Sequence, residues 1–587
     1  MADSGGQSGV ALAGVFKRWQ AANWNMEGGA RLPQVWRYVL DRDPWMRGVV
    51  MVIDLVFGGQ EGGASIRIAT EPVTSTGADG RDHSAIAALV AEPTISNVYR
   101  LGEAAASARS VGLTLDPVLV NPVELVRRGY MLAGIGEVSL ELSDAWRRRH
   151  FQVADFPYED RMVLVRGDMS GGVAFGAVRS DGQRELMELE VVDPRDSVGT
   201  KLPPWVVDSG VADETAGAPR WPTPHESGIG ERYPVVVNGY DRIPGVRVTS
   251  NTNGPSFVFA VGTECDLPTV YVNGLAVGNL NPTYGWSTTL TQTDGRGTTV
   301  LRINFNATAY VWQDNDAVHV SCNIPLQSLN PVDAMRYVLE RYSPLGVAGV
   351  NAQLFAEASA KWPDTLPAPK VLINAAGGGS EGDAIAWAES GMCASFPMLS
   401  LVWERGAYGC ILTDYRADPV AELVKGAPPL LERQSLVQES AKGELYNDFV
   451  IRYGYNVIDD VWEGVLTRSA ENSALCDLSQ RMVGQRHLDS MDAPYIFDSA
   501  LAAYVMDWMV AHWSLPSYVV EYDCTPSAFL VHRRGDTVLV SDDDFGWSRE
   551  RATIEGLTYK RGKATMTLRV WQRAMDLGGA ALSVGGV

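Results

Sequence analysis

The 587-residue sequence lacks the segments that mark secreted, membrane-anchored and disulfide-stabilised proteins. Residues 1–10 are polar and glycine-rich, without the basic stretch and apolar run of a secretory signal. Apolar stretches such as Gly48–Ile53 end at Asp54, far short of the about 20 residues that a membrane helix needs. The six cysteines are scattered and form no C-x-x-C pair, which favours free, buried thiols. We therefore expect a soluble protein without structural disulfides or zinc.

Motifs for nucleotide and metal chemistry are also missing. No G-x-x-x-x-G-K-[ST] loop occurs, and no G-x-G-x-x-G follows a predicted strand, so no nucleotide cofactor is supported. The seven histidines are dispersed, and none pairs with another at metal-ligand spacing. The formal charge of −21 argues against a protein that grips phosphates, which needs clustered Lys and Arg. We expect no cofactor, no metal site and no specific DNA binding.

Size and composition predict a multidomain globular protein. Hydrophobic residues make up 46% of the chain and charged residues 20%, which is ordinary globular usage. A chain of this length is expected to form roughly three to five domains. Tryptophan is unusually frequent, with 17 residues, and we expect most of these side chains in cores or interfaces.

Alternating hydrophobicity predicts three consecutive strands near the C-terminus. In the last of them, Met566, Leu568 and Val570 share one face, as in a half-buried sheet. Arg534-Gly535-Asp536 and Arg561-Gly562-Lys563 are predicted to be hairpin turns, because each places a glycine between polar residues. The first tripeptide also matches an integrin ligand, an interpretation that the following strand disfavours. The predicted strands are Thr537–Val540, Ala552–Tyr559 and Ala564–Trp571.

Two further β-rich regions precede them. Residues 45–205 are predicted to be mostly β, and Pro203–Gly230, which lacks periodicity, is a predicted surface connection. A second β unit follows from Tyr233 to about Pro325. The predicted strands are Met51–Phe57, Ser65–Glu71, Glu137–Leu142, Met162–Arg166, Arg184–Val192, Phe257–Val261, Thr269–Val272, Thr299–Asn306, Ala309–Gln313 and Val318–Cys322.

Helix signals are concentrated in the second half of the chain. Asn330 can cap a helix whose first residue is Pro331, and an apolar stripe continues to Tyr342 before Pro344 ends it. About a hundred residues of mixed helix and strand follow. Two more helices are predicted at about Ser473–Gln485 and Asp498–Trp513, before a strand at Tyr518–Tyr522.

Two motifs are candidates for chemistry. Gly378-Gly379-Ser380-Glu381-Gly382 matches the G-x-S-x-G nucleophile elbow, between a predicted strand at Val371–Ile373 and a predicted helix at Asp383–Glu389. Residues 374–379 separate Ser380 from that strand, whereas an elbow needs its serine on a sharp turn, so a flexible glycine loop is favoured. Asp542-Asp543-Asp544 could attract calcium, but calcium loops space their ligands at alternate positions, which favours a solvated turn. We predict no catalytic residue.

The order of these segments resembles the tail hub, or baseplate hub, proteins of tailed bacteriophages and gene transfer agents. The resemblance covers most of the chain and is one of layout more than of invariant residues. Neither the first forty residues nor the connection from Pro203 has a counterpart in the family. The segments that carry the resemblance are Val49-Val50-Met51, Phe57-Gly58-Gly59, Ile68-Ala69-Thr70-Glu71-Pro72, Met162–Gly167, Tyr233–Val236, Val270–Gly274, Asn330–Ala334 with its helix to Tyr342, and Gly535–Val538 with the terminal strands.

The resemblance implies a mainly β fold with α+β parts and two tube-like β-barrel domains per chain. It implies a homotrimer at the distal end of the virion's tail, assembled in the host cytoplasm, whose six barrels would match a sixfold tail tube. Implied partners are the distal tail protein or tube ring, the tape-measure protein and tail fibre or tip proteins, while DNA passes the lumen without specific binding. The implied divisions are an N-terminal arm that includes Trp19, Trp24 and Trp36 (1–44), a first barrel (45–205), a connection and β-rich insertion (206–330), an α/β hub domain (331–440), a second barrel (441–575) and a tail (576–587).

Two alternatives stay open from the sequence. One is a hub that also hydrolyses peptidoglycan or a host ester, for which Ser380 is the candidate nucleophile; carboxylate pairs suited to glycan cleavage depend on a spatial separation that sequence does not give. For the structural hub, we expect carboxylates facing the bore to keep DNA or a tape-measure protein from adhering. The other alternative is a carbohydrate-binding adhesin, based on aromatic residues of the second β unit: Tyr271, Tyr284, Trp286, Tyr310 and Trp312.

Overall fold

A computed structural model gives the fold of most of the second half of the chain and of the strands of the first half. The protein is mainly β, with several sheets, a few helices and more than one domain, as the sequence predicts. The described residues are 34–57, 65–76, 82–91, 93–98, 110–115, 134–150, 161–169, 174–175, 187–192, 202, 232, 234–247, 256–261, 266–276, 286–292, 299–305, 316–324, 327–373, 384–404, 406–438, 445–560 and 562–571.

The opening β block forms one ten-stranded sheet. Its order is β3-β4-β2-β1-β8-β9-β11-β7-β5, with β10 beside β11, and β6 leaves this sheet for another. The strands are β1 (Val49–Phe57), β2 (Ser65–Ala69), β3 (Val73–Thr76), β4 (Asp82–Ala87), β5 (Leu89–Ala91), β6 (Ile95–Val98), β7 (Ser110–Leu115), β8 (Gly134–Leu142), β9 (Met162–Asp168), β10 (Ala174–Phe175) and β11 (Met187–Val192).

This sheet closes on itself through β4 and β5. β4 pairs in parallel with β2 at one end of the order, whereas β5 pairs antiparallel with β7 at the other end. Ala88 alone separates β4 from β5. Because neighbouring Cα atoms are about 3.8 Å apart, the two ends of the sheet must meet, and the sheet is a barrel. We name it the opening barrel.

Both faces of β1 are buried in this barrel. Met51, Ile53 and Leu55 belong to the large core, and Val50 and Val52 pack in a separate small core with the β3–β4 hairpin. The described residues of this region also include the helices α1 (Gln34–Arg42) and α2 (Asp144–His150). Trp36 of α1 is fully buried in the large core, while Trp19 and Trp24 of the predicted arm lie outside the described residues.

The second β unit has two sheets and a core of its own. Val236, Ile243, Phe259 and Val320 are fully buried members of that core, which is separate from the large one. The sheets have the orders β18-β19-β15-β12-β21, with β14 beside β15, and β13-β20-β16-β17. Their strands are β12 (Val235–Val237), β13 (Gly239–Pro244), β14 (Val246–Arg247), β15 (Ser256–Val261), β16 (Asp266–Val272), β17 (Leu275–Ala276), β18 (Trp286–Gln292), β19 (Thr299–Phe305), β20 (Val318–Asn323) and β21 (Val371–Ile373).

Three helices begin close to the positions that the sequence predicts. The Asn330 side chain accepts a hydrogen bond from the Asp333 N–H at 2.9 Å, which caps α3, and the next helices start after similar caps at Ser473 and Asp498. The elements are α3 (Pro331–Tyr342), α4 (Ala352–Ala360), α5 (Ala384–Trp387, continued by a π turn to Cys393), β22 (Leu399–Glu404), β23 (Ala407–Leu412), β26 (Phe449–Asn456), β27 (Val461–Arg468), α6 (Ala474–Val483), β28 (Met491–Ala493) and α7 (Ser499–Trp513).

The last part of the chain forms a seven-stranded sheet, in the order β24-β30-β31-β32-β29-β25 with β6 beside β31. β24 pairs in parallel with β30 and β25 pairs antiparallel with β29, yet residues 425–429 alone separate β24 from β25. The sheet therefore closes as the opening barrel does, and we name it the closing barrel. Its remaining elements are β24 (Ala421–Val424), β25 (Leu430–Gln438), β29 (Ser517–Cys524), α8 (Ala528–Val531), β30 (Thr537–Asp542), β31 (Trp547–Lys560) and β32 (Lys563–Trp571).

Most of the predicted strands are confirmed within a few residues, including the three at the C-terminus. The predicted hairpin at Gly562 is also confirmed, with φ of 66° at the glycine and Lys560 opposite Lys563. The turn at Gly535 exists, with φ of 76°, but it joins α8 to β30, so the prediction of a hairpin there is wrong. The predicted strand Ala309–Gln313 lies outside the described residues.

Candidate functional site

A strand from the opening block completes the closing barrel. β30 pairs with the first half of β31, up to Thr553, and β32 pairs along the other edge from Ala552. β6 pairs antiparallel with Gly556–Tyr559, on the edge that β30 leaves open. Ile95 of β6 and its partner Tyr559 are both buried. We call this pairing of β6 with β31 the joint. Its hydrogen bonds connect chain segments more than 450 residues apart (559 − 95 = 464), so the two β blocks are one connected structure.

A charged cluster lies where the two ends of the sheet that forms the closing barrel come together. Asp542 at the end of β30 is fully buried and accepts hydrogen bonds from Arg433 Nη1 at 2.7 Å and from the Tyr522 hydroxyl at 2.9 Å. Neighbouring Asp544 bonds Lys425 and also Arg433 Nη2, at 3.0 Å. Asp542 lies on β30 and Tyr522 on β29, three strands apart, so a flat sheet would separate their strands by about 14 Å, at about 4.8 Å per strand. Their direct hydrogen bond therefore requires the curvature of the closed sheet. We call these five residues the closure cluster.

The electrostatics of the closure cluster favour a structural role. Burial raises the pKa of Tyr522, and its hydrogen bond to Asp542 raises it further, so the hydroxyl stays a donor. The hydrogen bond from Lys425 holds the pKa of Asp544 below its ordinary value. Two cations thus already neutralise the two carboxylates. The described ranges contain no group of three or more His, Cys, Asp or Glu arranged to hold a metal ion.

An aromatic cup of about 500 Å³ opens beside the closure cluster. It lies at one mouth of the barrel, where β25 and β32 end and β29 and β31 begin. Tyr518 and Val570 are directly opposite in the strand register, so they share the same face. The lining residues are Leu436, Tyr518, Phe545, Gly546, Trp547, Glu550, Val570 and Trp571.

Of the candidate residues predicted from the sequence, some are buried in the structure and one lies outside the described residues. Ser380 and its glycine-rich motif lie outside the described residues, so its predicted inactivity stays a prediction. Asp542 is buried and ion-paired, so the prediction of a solvated turn is wrong for it, because the sequence does not show that Arg433 lies across the barrel. Arg534 and Asp536 of the tripeptide are buried, which keeps an integrin from reaching them.

The predicted aromatic platform of the second β unit is only partly described. Tyr271 is half-buried, with Arg242 over its ring at 5.3 Å. Tyr284, Tyr310 and Trp312 lie outside the described residues, so the adhesin alternative stays a prediction. No helix within the described ranges is both long and apolar enough to span a membrane.

Sequence reasoning missed the aromatic cup and most of the closure cluster. Phe545-Gly546-Trp547, directly after the three aspartates, was the available local signal. The other walls come from β25, β29 and β32, and the farthest of them, Leu436, precedes Phe545 by 109 residues (545 − 436 = 109). Such a site is assembled by the register between strands and by closure of the barrel, and neither can be predicted from the sequence of one segment.

The similarity of this chain to known proteins is weak. No family model matches the chain, and no curated protein matches it. Among solved structures, the chain is similar to the prophage tail protein gp18 from Listeria monocytogenes EGD-e, with a TM-score of 0.26 and 8% identity over 57% of this chain and 94% of that chain. A likeness of this size carries no argument about this chain's fold or function.

Proposed function

We propose that this protein is a structural component of a phage tail tip: a homotrimeric hub that adapts a sixfold tail tube to a threefold tip. Each chain would supply two barrels, and three chains would supply six. Duplicating a domain within the chain resolves a threefold-to-sixfold mismatch without a second kind of subunit.

One observation carries this proposal: the two β blocks close in the same way and are joined edge to edge. In each barrel, one chain segment pairs in parallel with one end of the sheet and antiparallel with the other end. β6 then joins the opening block to the closing barrel through β31. Barrels that share hydrogen-bonded edges can form a continuous wall, in which few strand edges are left to pair with foreign chains.

The proposal includes partners and a place in the virion. The ring would contact the distal tail protein or tube ring on one side and the tape-measure protein and fibre or tip proteins elsewhere. The formal charge of −21 supports a lumen that DNA passes without binding, because like charges repel. A surface map of the assembled ring that shows a basic bore would contradict this part.

Mass photometry of the purified full chain tests the trimer. We expect particles of three times the chain mass at micromolar concentration. Particles of a single chain throughout the accessible concentration range would contradict the proposal.

A designed disulfide tests the joint between the barrels. Ser96 and Thr558 are directly opposite in the β6–β31 register, and such pairs have Cα distances of about 4.5–5.5 Å, which suit a disulfide. On oxidation, the double variant Ser96→Cys/Thr558→Cys should form a crosslink within one chain, seen as a mobility shift on a non-reducing gel. Each single-cysteine variant is the control. If no mobility shift appears, β6 does not pair with β31 in this register, and the joint is contradicted.

We also propose that the protein has no enzymatic turnover. A fluorophosphonate probe labels activated serines, so we expect no labelling of the full chain. Labelling that Ser380→Ala abolishes would instead support the hydrolytic hub.

A further inference from the structure

The aromatic cup at the mouth of the closing barrel is a site of a definite chemical type. Four of its lining residues are aromatic, and the ring centroids of Phe545 and Trp547 are 4.8 Å apart, with those of Tyr518 and Trp547 at 5.9 Å. Three rings thus form a continuous wall over the turn between β30 and β31. Phe545 is 38% exposed, which is high for a phenylalanine in a folded protein.

Two rings of the cup already hold an arginine. The guanidinium of Arg433 lies over the Phe545 ring at 4.1 Å, and that of Arg569 lies 5.8 Å from the Trp571 centroid. Aromatic faces attract cations because the quadrupole of the ring places negative charge there, and tryptophan attracts them best. Among the described residues, no cation lies over the ring of Trp547, although it is the central ring of the wall.

Glu550 is the charged residue among the described lining residues of the cup. The guanidiniums of Arg433 and Arg569 lie against two of its rings, but each already bonds carboxylates: Arg433 bonds Asp542 and Asp544, and Arg569 bonds Glu555. The chain as a whole carries −21. Electrostatic complementarity therefore favours a positively charged ligand and speeds its encounter.

A sugar fits this lining less well. Recognition of a hydroxylated ligand needs several well-placed polar groups, since its hydroxyls lose their water on binding. Here one carboxylate stands among four aromatic rings and two aliphatic side chains. The buried indole N–H of Trp571 has no hydrogen-bond partner among the described residues and adds one donor, which is few for a saccharide.

We propose that the aromatic cup binds an arginine or lysine side chain from an extended basic segment of a partner protein. The cation would stack on Trp547, with Tyr518 beside it, and its charge would face Glu550. The about 500 Å³ of the cup also leaves space for the backbone next to the cationic residue. This site does not depend on the trimer or on a position in a tail.

Fluorescence anisotropy with two matched peptides tests the site. The probe is Gly-Gly-Arg-Gly-Gly with a neutral fluorophore, and its control carries citrulline, which has the shape of arginine without the charge. The full-length protein should bind the arginine peptide at least tenfold more tightly than the citrulline peptide, and added salt should weaken that binding.

Variants locate the binding to the cup. Trp547→Ala should weaken binding of the arginine peptide by about three- to thirty-fold, the range that a cation–π contact supports. Glu550→Gln should weaken it by about two- to fivefold, the range that an exposed ion pair supports. Trp45→Ala is the control, because Trp45 is an exposed tryptophan, at 40%, that does not line the cup, so its removal should leave binding unchanged. Circular dichroism checks the fold of each variant, and Glu550→Gln, which preserves size, serves if Trp547→Ala does not fold.

Three outcomes would overturn the proposal. These are equal binding of the two peptides, no binding of the arginine peptide in the millimolar range, and unchanged binding after Trp547→Ala in a folded protein. Binding of chitotetraose that depends on Trp547, without binding of the arginine peptide, would identify a saccharide site instead.

Discussion

Removing Arg433 should open the seam of the closing barrel, which is the place where β24 and β25 bring the two ends of the sheet together. Asp542 is fully buried, and its loss of Arg433 would leave a carboxylate held by Tyr522, by the Asp544 N–H and, more distantly, by Lys425 at 3.8 Å. Breaking a buried pair from one side costs about 3–5 kcal/mol. Because Arg433 itself keeps 22% of its side chain exposed, we expect about 2 kcal/mol from Arg433→Ala.

Hydrogen exchange measures this loss where it occurs. The seam is formed by β24 and β25, so exchange of the amides in residues 421–438 should accelerate by about thirty-fold, the equivalent of 2 kcal/mol of local opening free energy. Global unfolding is a poorer readout, since a chain of several domains does not unfold in two states. Mass spectrometry of peptides from this segment reports the change directly.

Arg452→Ala is the matched control. Arg452 bonds Asp492 at 2.6 Å, but both side chains are about two-fifths exposed, and such surface pairs contribute about 0–1 kcal/mol. If Arg433→Ala accelerates exchange in residues 421–438 no more than Arg452→Ala does, the closure cluster does not hold the seam. A double variant, Arg433→Met with Asp542→Leu, should recover part of the loss, because it leaves no buried charge.

Three other variants test the packing of the barrels and their surroundings. Arg569→Ala removes the N–H that bonds the buried Glu555 at 2.5 Å and should cost about 3–5 kcal/mol, seen as a lower melting temperature in calorimetry. Burial lowers the pKa of His512 to about 3 from 6.5, so the unfolded state binds the proton more readily; stability should fall as pH drops below 6.5, and His512→Gln should flatten this dependence of melting temperature on pH. Gly167→Ala would drive a Cβ into the backbone carbonyl oxygen of Val192 and should destabilise the opening barrel by about 1–3 kcal/mol, whereas Gly112→Ala, whose Cβ would meet no described atom within 4 Å, should change the melting temperature little.

Local patterns in the sequence determined the elements. Strand alternation predicted the three C-terminal strands, and the cap Asn330 predicted the start of α3, because these signals act within a few residues. The helices predicted from about Ser473 and Asp498 also form, and there the structure adds that both side chains are caps. The same reasoning failed at Gly535. There the chain enters the turn from α8, and a glycine between polar residues does not distinguish the two kinds of turn.

Tertiary structure alone decided what the elements build. Nothing local to Ile95–Val98 indicates that β6 pairs with Gly556–Tyr559, and nothing local to Asp542 indicates that Arg433 neutralises it. The closed barrels, their joint and the aromatic cup all depend on strand register between distant segments. Register follows from the packing of whole faces against each other, so it becomes visible only when the chain is folded.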